Sequence, residues 1–518
     1  KTINFSYVVD STRVFQIDKF YNKKEIGSVN LAGNINFAWL AVCTLVYALL
    51  TDEHNIYVIT ENGTAVTYGV VTDPNAPQKP SFVASFGSRF LVSTKDTPDY
   101  SLTRINLFSD SPGPGNLTNC FTINGSPLFN RASSIILQMA VLHAQLYIMC
   151  DFTTDIWANI PTQITVGNVT REFPWKLNTS YNWDYGIADS FSLSVDFGRM
   201  VWLARNRNGL VAFMASNGGQ PENISSQAIN VLLEGTLDET KSGSPFLNGI
   251  TRGFLYQFEN TIFYRASAGE YINFGELDIQ ENSASIEYNF ETQTWSRVIE
   301  LNGERNRIQN HIYINNKHLV TVQNDPAIYE MAGNIYHNEL RNTAALPQAP
   351  DAFNKYPMRY ELVTQQIFLP DYSEFIDDWV EIDFVFGNRT FYRSNAPFLN
   401  AEFIIDESST PQIPVYIVTE DDEFIVAEGS DTPAFDDNHY NALFKPHIEL
   451  YYSDDGGVTF VSADNREFSP LGEYRWRMRW YELDVSRNRC YRLICVSSAP
   501  IVILGAVRNT RPVSGGAR

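Results

Sequence analysis

At 518 residues the chain exceeds the roughly 250–300 at which a single hydrophobic core stops growing, which excludes one small module. Its 44% apolar and 14% aromatic content excludes a disordered chain. A formal charge of −21 excludes a protein that grips nucleic acid over a broad surface, because that grip needs Lys and Arg against phosphates, but it is compatible with a channel through which a duplex slides.

The chain begins at Lys1, not at methionine, so a targeting segment ahead of it stays open. "FAWLAVCTLVYALL", 37–50, is the longest apolar run and is too short to span a bilayer, so it reads as a buried strand. Five cysteines, Cys43, Cys120, Cys150, Cys490 and Cys495, are odd in number and lack C-x-x-C spacing. They read as buried free thiols, not as a disulfide framework or a zinc site. The seven histidines contain neither H-E-x-x-H nor any close pair in sequence that would hold zinc.

One pattern recurs along the first two thirds: an apolar stretch, a small polar turn, then a stronger apolar or aromatic strand. Its copies are "VYALLTDEHNIYVI" from Val46, "VASFGSRFLVST" from Val83, "MAVLHAQLYIMC" from Met139, "LSVDFGRMVWLA" from Leu193, "LYQFENTIFYRA" from Leu255 and "IYINNKHLVTVQ" from Ile312. Their turns suit tight hairpins. Outer strands fit around them at Val14, Ala65, Leu102, Leu210, Ala284 and Ala327, and one short helix fits "SSQAINVLLEG", 225–235. Recurrence at blade-like intervals predicts an all-β fold with a six-bladed β-propeller-like domain over 1–340, against an ordinary large β-sandwich.

A Pro-, Ala- and Asn-rich stretch, 341–357, reads as a linker. The region 358–518 reads as a β-sandwich-like domain carrying an acidic insertion near 395–445. Within it, "YYSDDGGVTF", 451–460, has the S-x-D-G-G-x-T-aromatic form of the sialidase Asp-box. Occurring once and outside the repeats, it marks a hairpin better than a sugar site. Calcium at Asp454, Asp455 or the acidic run at 420–423 is weighed against solvated acidic loops, which are favoured. In "RWRMRW" strand alternation puts Arg475, Arg477 and Arg479 on one face and Trp476, Met478 and Trp480 on the other. The arginines are the interface candidates, as an ion-paired or subunit-contacting face, with a carboxylate-binding triad as the alternative. No nucleophile elbow, P-loop or dinucleotide fingerprint is present, and the reading is nonenzymatic, with no cofactor or metal expected.

Three segments in order resemble the tail hub, or packaged-DNA stabilisation, proteins of short-tailed bacteriophages. They are "VWLARNRNGLVAFMASNGGQPENISSQAIN" at 201–230, "FETQTWSRV" at 290–298, and "YYSDDGGVTF" followed by "LGEYRWRMRWYELDVSRNRCYRL" and "IVILGAV". The resemblance covers roughly residues 180–510; the doubled glycine at 218–219 and the acidic insertion depart from it. It implies a virion protein made in the host cytoplasm, a homo-oligomeric ring of six copies below portal and adaptor proteins. That ring would carry the DNA channel without sequence-specific binding, hold a needle or plug, and lie near tailspikes or fibres, with no membrane span. The rival is a sialidase-like glycan-binding or glycan-cleaving propeller, which predicts several Asp-boxes.

Overall fold

A computed structural model of the chain describes most of residues 5–30, 39–94, 136–234, 250–331, 353–386 and 447–513. It also describes the short strands Ile105–Leu107, His337–Arg341, Ile417–Val418 and Phe424–Ile425. The chain divides into two compact units, Lys1–Ala332 and Gly333–Arg518.

In the first unit the described residues form seven successive antiparallel sheets, at 6–28, 39–70, 80–107, 136–177, 186–223, 250–297 and 308–331, plus a separate hairpin at 162–173. In the fourth and fifth sheets the central strand is apolar on both faces because a neighbouring sheet covers each face. Leu146 and Ile148 pack toward the third sheet, while Tyr147 and Met149, one residue out of phase, pack toward the fifth. Val201 and Leu203 likewise face the sixth sheet while Met200 and Trp202 face the fourth. Period-two alternation between two covered faces thus turns half-buried strands into continuous apolar runs. The result is a β-propeller-like succession of sheets.

Its ends meet. The Lys317 ammonium, at the hairpin turn of the seventh sheet, lies 5.4 Å from the centre of the Tyr21 ring in the first.

All six predicted hairpins are hairpins, at 47–60, 80–94, 136–150, 194–201, 250–269 and 308–322. Six blades are not confirmed: among the described residues the sheet at 6–28 brings the number of successive sheets to seven. "VFQID", read as an outer strand, is in the central strand Arg13–Ile17 of that sheet. Its neighbour Lys23–Ser28 is polar and largely exposed, so no apolar pair announces the sheet. The run at 37–50 is not one strand but two, Trp39–Cys43 and Tyr47–Thr51, paired antiparallel. The single described α-helix, Gln227–Glu234, falls where "SSQAINVLLEG" places it.

Close packing between sheets makes one glycine irreplaceable. A Cβ on Gly186 would sit 2.2 Å from the Cys150 carbonyl oxygen and 2.5 Å from the Phe152 nitrogen, both backbone atoms of the fourth sheet's loop. Beside it Trp202 Nε1 donates to the Gly186 carbonyl at 3.0 Å, and Trp183 stacks on Trp202 at 5.5 Å. Gly186→Ala is therefore expected to cost about 3 kcal/mol, the upper end for overpacking, because backbone cannot swing aside as a side chain can. Urea unfolding of the full chain checks this against Gly209→Ala, where nothing lies within 4 Å of the added carbon but the positive φ remains a cost.

In the second unit one sheet joins His337–Arg341, Phe353–Val363, Cys490–Ser497, His447–Ser453 and Val461–Glu467 in that order. In the other, Phe375–Phe386 is central, flanked by Arg475–Tyr481 and the short Val485–Ser486 on one side and Ile501–Pro512 on the other. Val380, Ile382, Phe384, Met478 and Trp480 of the second sheet pack on Ile448, Leu450, Leu493 and Cys495 of the first. This is a β-sandwich core. Of the stretch read as a linker, 341–357, Arg341 ends a strand and Phe353 begins one, the two strands pairing antiparallel. The acidic insertion lies outside the described residues except for the Ile417–Val418 and Phe424–Ile425 pair.

Candidate functional site

The three arginines project from one edge strand, Arg475–Tyr481, in register with Phe375–Phe386. Alternation holds for the core side, with Met478 and Trp480 buried, while Trp476 at the strand end is 36% exposed. Register sets Arg479 opposite Glu381 and Arg477 opposite Asp383. Arg479 Nη2 reaches Glu381 Oε2 at 2.5 Å, and Arg475 Nη2 reaches Asp383 Oδ2 at 2.5 Å. Hydrogen bonding from Arg475 holds the Asp383 carboxyl below the usual range. Arg479 also lies over the Trp379 ring at 4.4 Å. Arg477 is the loosest, 3.6 Å from Asp383 and 3.9 Å from Glu381, with its side chain 63% exposed. The acidic partners sit in "EFIDDWVEID", 374–383, a stretch with no sequence proximity to the arginines; only strand pairing joins them.

The same sheet leaves its opposite edge apolar. Ile501–Pro512 pairs with Phe375–Phe386 on one side, and among the described residues it pairs with no strand on the other. Val502, Ile503, Leu504 and Val507 are each 39–60% exposed. Where this strand faces the first sheet, the sandwich opens into a cleft of about 270 Å³ lined by Leu362, Ile367, Val380, Leu450, Ile503 and Val507.

The Asp-box is a turn held by its own carboxylate. Asp455 accepts from the backbone N–H of Val458 and Thr459 at 2.9 Å and from the hydroxyls of Thr459 and Ser453. Those hydrogen bonds, led by Ser453 and Thr459, push its pKa well down. Gly456 and Gly457 take φ of 84° and 93°, which L side chains rarely adopt. Asp454 is engaged by Arg489, Nε to Oδ1 at 2.8 Å and Nη2 to Oδ2 at 3.0 Å. Both carboxylates considered for calcium are thus committed to protein donors, and no group of three or more metal-ligating side chains occurs among the described residues.

A second concave site lies in the first unit. The leading segments of the fourth to seventh sheets converge on a pocket of about 160 Å³ lined by Gln138, Ser190, Phe191, Leu193, Arg252, Phe254 and Gln309 to His311. Behind it His311 and His318 meet, Nε2 to Nδ1 at 2.9 Å. Sequence spacing hides this pair. In the hairpin, His311 stands opposite Val320 and His318 opposite Tyr313, so the two rings are diagonal neighbours on one face. Desolvation and the neighbouring His318 lower the His311 pKa to about 4. Of the cysteines, Cys150 is buried and outside any disulfide, Cys490 and Cys495 are buried free thiols, and burial pushes Cys495 up to about 12.

No protein-family model and no curated protein matches the sequence. Among solved structures, the dihydro-heme d1 dehydrogenase NirN is similar over 72% of this chain and 68% of its own, at 11% identity and a TM-score of 0.35. A protein from Lactobacillus plantarum is similar over 68% of this chain and 94% of its own, at 8% identity and a TM-score of 0.31. AofleA from Arthrobotrys oligospora is similar over 57% of this chain and 86% of its own, at 9% identity and a TM-score of 0.29. Likenesses this loose assign no activity, ligand or partner to this chain.

Proposed function

We propose that the protein is a nonenzymatic structural component of a virion, the tail hub of a short-tailed bacteriophage. In this reading several copies, six by resemblance, close into a ring that continues the DNA channel below portal and adaptor, retains packaged DNA and passes it during ejection. The observation that carries an assembly role is the Ile501–Pro512 edge, an apolar strand with exposed Val502, Ile503, Leu504 and Val507. Long exposed apolar edges invite pairing with another chain and are usually blunted in monomers. The arginine strand on the other edge of the same sheet supplies the kind of anchor that interfaces favour. A chain charge of −21 suits a lumen along which DNA slides. The segments that resemble the hub family serve the fold: Trp295 of "FETQTWSRV" donates Nε1–H to the Ile224 carbonyl of "PENIS" at 2.7 Å.

Negative-stain imaging of the purified chain with its viral neighbours tests the reading. Rings with an axial channel are expected, whereas a monomer that hydrolyses a sialoside would overturn it. Charge reversal of Arg475, Arg477 and Arg479 to Glu is expected to abolish ring assembly, measured by mass in solution, with circular dichroism reporting that the sheets persist. Arg477→Glu alone, at the most exposed and loosest of the three, is expected to weaken assembly with less than about 1 kcal/mol lost from stability. Rings unchanged by the triple reversal would remove the arginine face from the interface.

A further inference from the structure

The sheet centred on Phe375–Phe386 ends in two strands, Arg475–Tyr481 and Ile501–Pro512, each paired on one side only among the described residues. An unpaired edge carries a row of backbone N–H and C=O groups that another strand matches one for one. The side chains of the two edges differ. Ile501–Val507 is a run of seven residues without a polar side chain, and every one after Ile501 is exposed. Only beyond it do Arg508 and Arg511 appear. Arg475–Tyr481 is also seven residues long, and it presents Trp476, Tyr481 and the three arginines to solvent.

Charge decides which edges can meet. Two arginine edges laid antiparallel would set Arg475, Arg477 and Arg479 against their own counterparts, and like charges directly opposite each other destabilise a strand pair. Two apolar edges laid together leave both arginine edges bare. An apolar edge against an arginine edge satisfies both. Asp383 and Glu381 already hold Arg475 and Arg479 within the sheet, so this edge calls for no further carboxylate. Aliphatic neighbours would instead cover the arginine stems and Trp476. Both edge strands run antiparallel to Phe375–Phe386 and therefore parallel to each other. Rotating a copy about an axis along the strands keeps that direction, so the contact between copies is a parallel pair. Setting Arg475–Tyr481 alongside Ile501–Val507 leaves Arg508 and Arg511 beyond the paired stretch.

We propose that the partner of the Ile501–Pro512 edge is the Arg475–Tyr481 edge of a second copy of this chain, joined in parallel so that one sheet continues from copy to copy. Such a head-to-tail contact uses two different surfaces of each chain and generates a ring when its rotation closes. It names the contact that the assembly reading leaves open, and it rests on that reading.

The test uses the full chain, purified with its viral neighbours, carrying cysteine pairs at exposed positions: Tyr481→Cys with Val507→Cys and, separately, Trp476→Cys with Val502→Cys. Neighbouring strands lie about 4.8 Å apart, within the span that a disulfide bridges. Under diamide, either pair is expected to give a ladder of covalent dimers, trimers and higher species on a non-reducing gel, collapsed by reductant. The unaltered chain and each single variant are expected to give no ladder. Imaging of the same samples reports rings independently. Rings without a ladder from either pair would overturn this contact and leave the ring reading standing, whereas neither rings nor a ladder would remove both. Leu504→Cys alone giving covalent dimers would mean that two apolar edges meet each other, and would overturn the proposal as well.

Discussion

Arg489→Ala is expected to destabilise the second unit by about 3–5 kcal/mol, the cost of breaking a buried ion pair from one side. The Arg489 side chain has no exposed surface, and neither does that of Asp377, 3.5 Å away. Its fork binds Asp454 through two nitrogens, and a third nitrogen donates to the Leu483 carbonyl. The Tyr452 ring lies 4.7 Å from the guanidinium carbon. Removing the arginine leaves Asp377 with Arg508 at 3.5 Å, the Thr510 hydroxyl at 2.6 Å and the Tyr491 hydroxyl. Arg508, at the limit of hydrogen-bond reach and 25% exposed, offsets only part of that buried charge, and hydroxyls solvate a carboxylate without neutralising it. Urea unfolding of the full chain reads the loss, and the paired replacement Arg489→Met with Asp377→Leu is expected to recover much of it, since neither charge is then stranded. A loss below about 1 kcal/mol for Arg489→Ala would mean that Asp377 is already satisfied without it.

Stability is expected to fall on acidification from pH 6.5 to about 4 through His311, whose ordinary pKa of 6.5 is lowered to about 4 by desolvation and the adjacent His318. In that window the unfolded chain binds a proton that the folded chain refuses. The contribution is complete above pH 6.5, shrinks as pH falls, and is gone near pH 4, where the folded state also takes up the proton. Its size is on the order of 3 kcal/mol at most, from 1.36 kcal/mol per pKa unit. The setting explains the resistance. His311 packs on Phe254 and contacts His318; Arg265, paired with Glu287 at 2.6 Å and bonded to the Tyr256 hydroxyl, adds a second positive charge. Desolvation also lowers the His318 pKa, offset by the backbone of Gln257 and by Asp196. Since this seam joins the sixth sheet to the seventh, acid is expected to loosen the packing between those two sheets first. His311→Asn should flatten the slope of stability against pH between 6.5 and 4. Identical slopes for the two proteins would assign that pH dependence to other groups.

Hairpins were legible because each places two apolar strands around a two- to four-residue polar turn, a local signal. The first sheet was not, because Lys23–Ser28 covers the central strand with polar residues. The arginine strand was readable as alternation, but its partners Glu381 and Asp383 lie nearly a hundred residues upstream, beyond any local pattern. For the same reason the acidic pair of the Asp-box could be assigned to a turn, while the buried Arg489 that holds Asp454 went unmarked among the surface-type residues around it. The pocket at Arg252 draws on four separate sheets and leaves no contiguous trace at all.

Sequence alone determined the all-β class, the hairpin repeats, a short helix within 225–235 and the turn at Asp454 to Gly457, because these follow from side-chain period and from φ preferences within a few residues. Only the tertiary structure decided the number of sheets among the described residues, the contact of Lys317 with the Tyr21 ring, the His311–His318 contact and the fate of the buried charges. Those depend on which strands become neighbours, and strand pairing is a long-range choice set by which faces the neighbouring sheets bury.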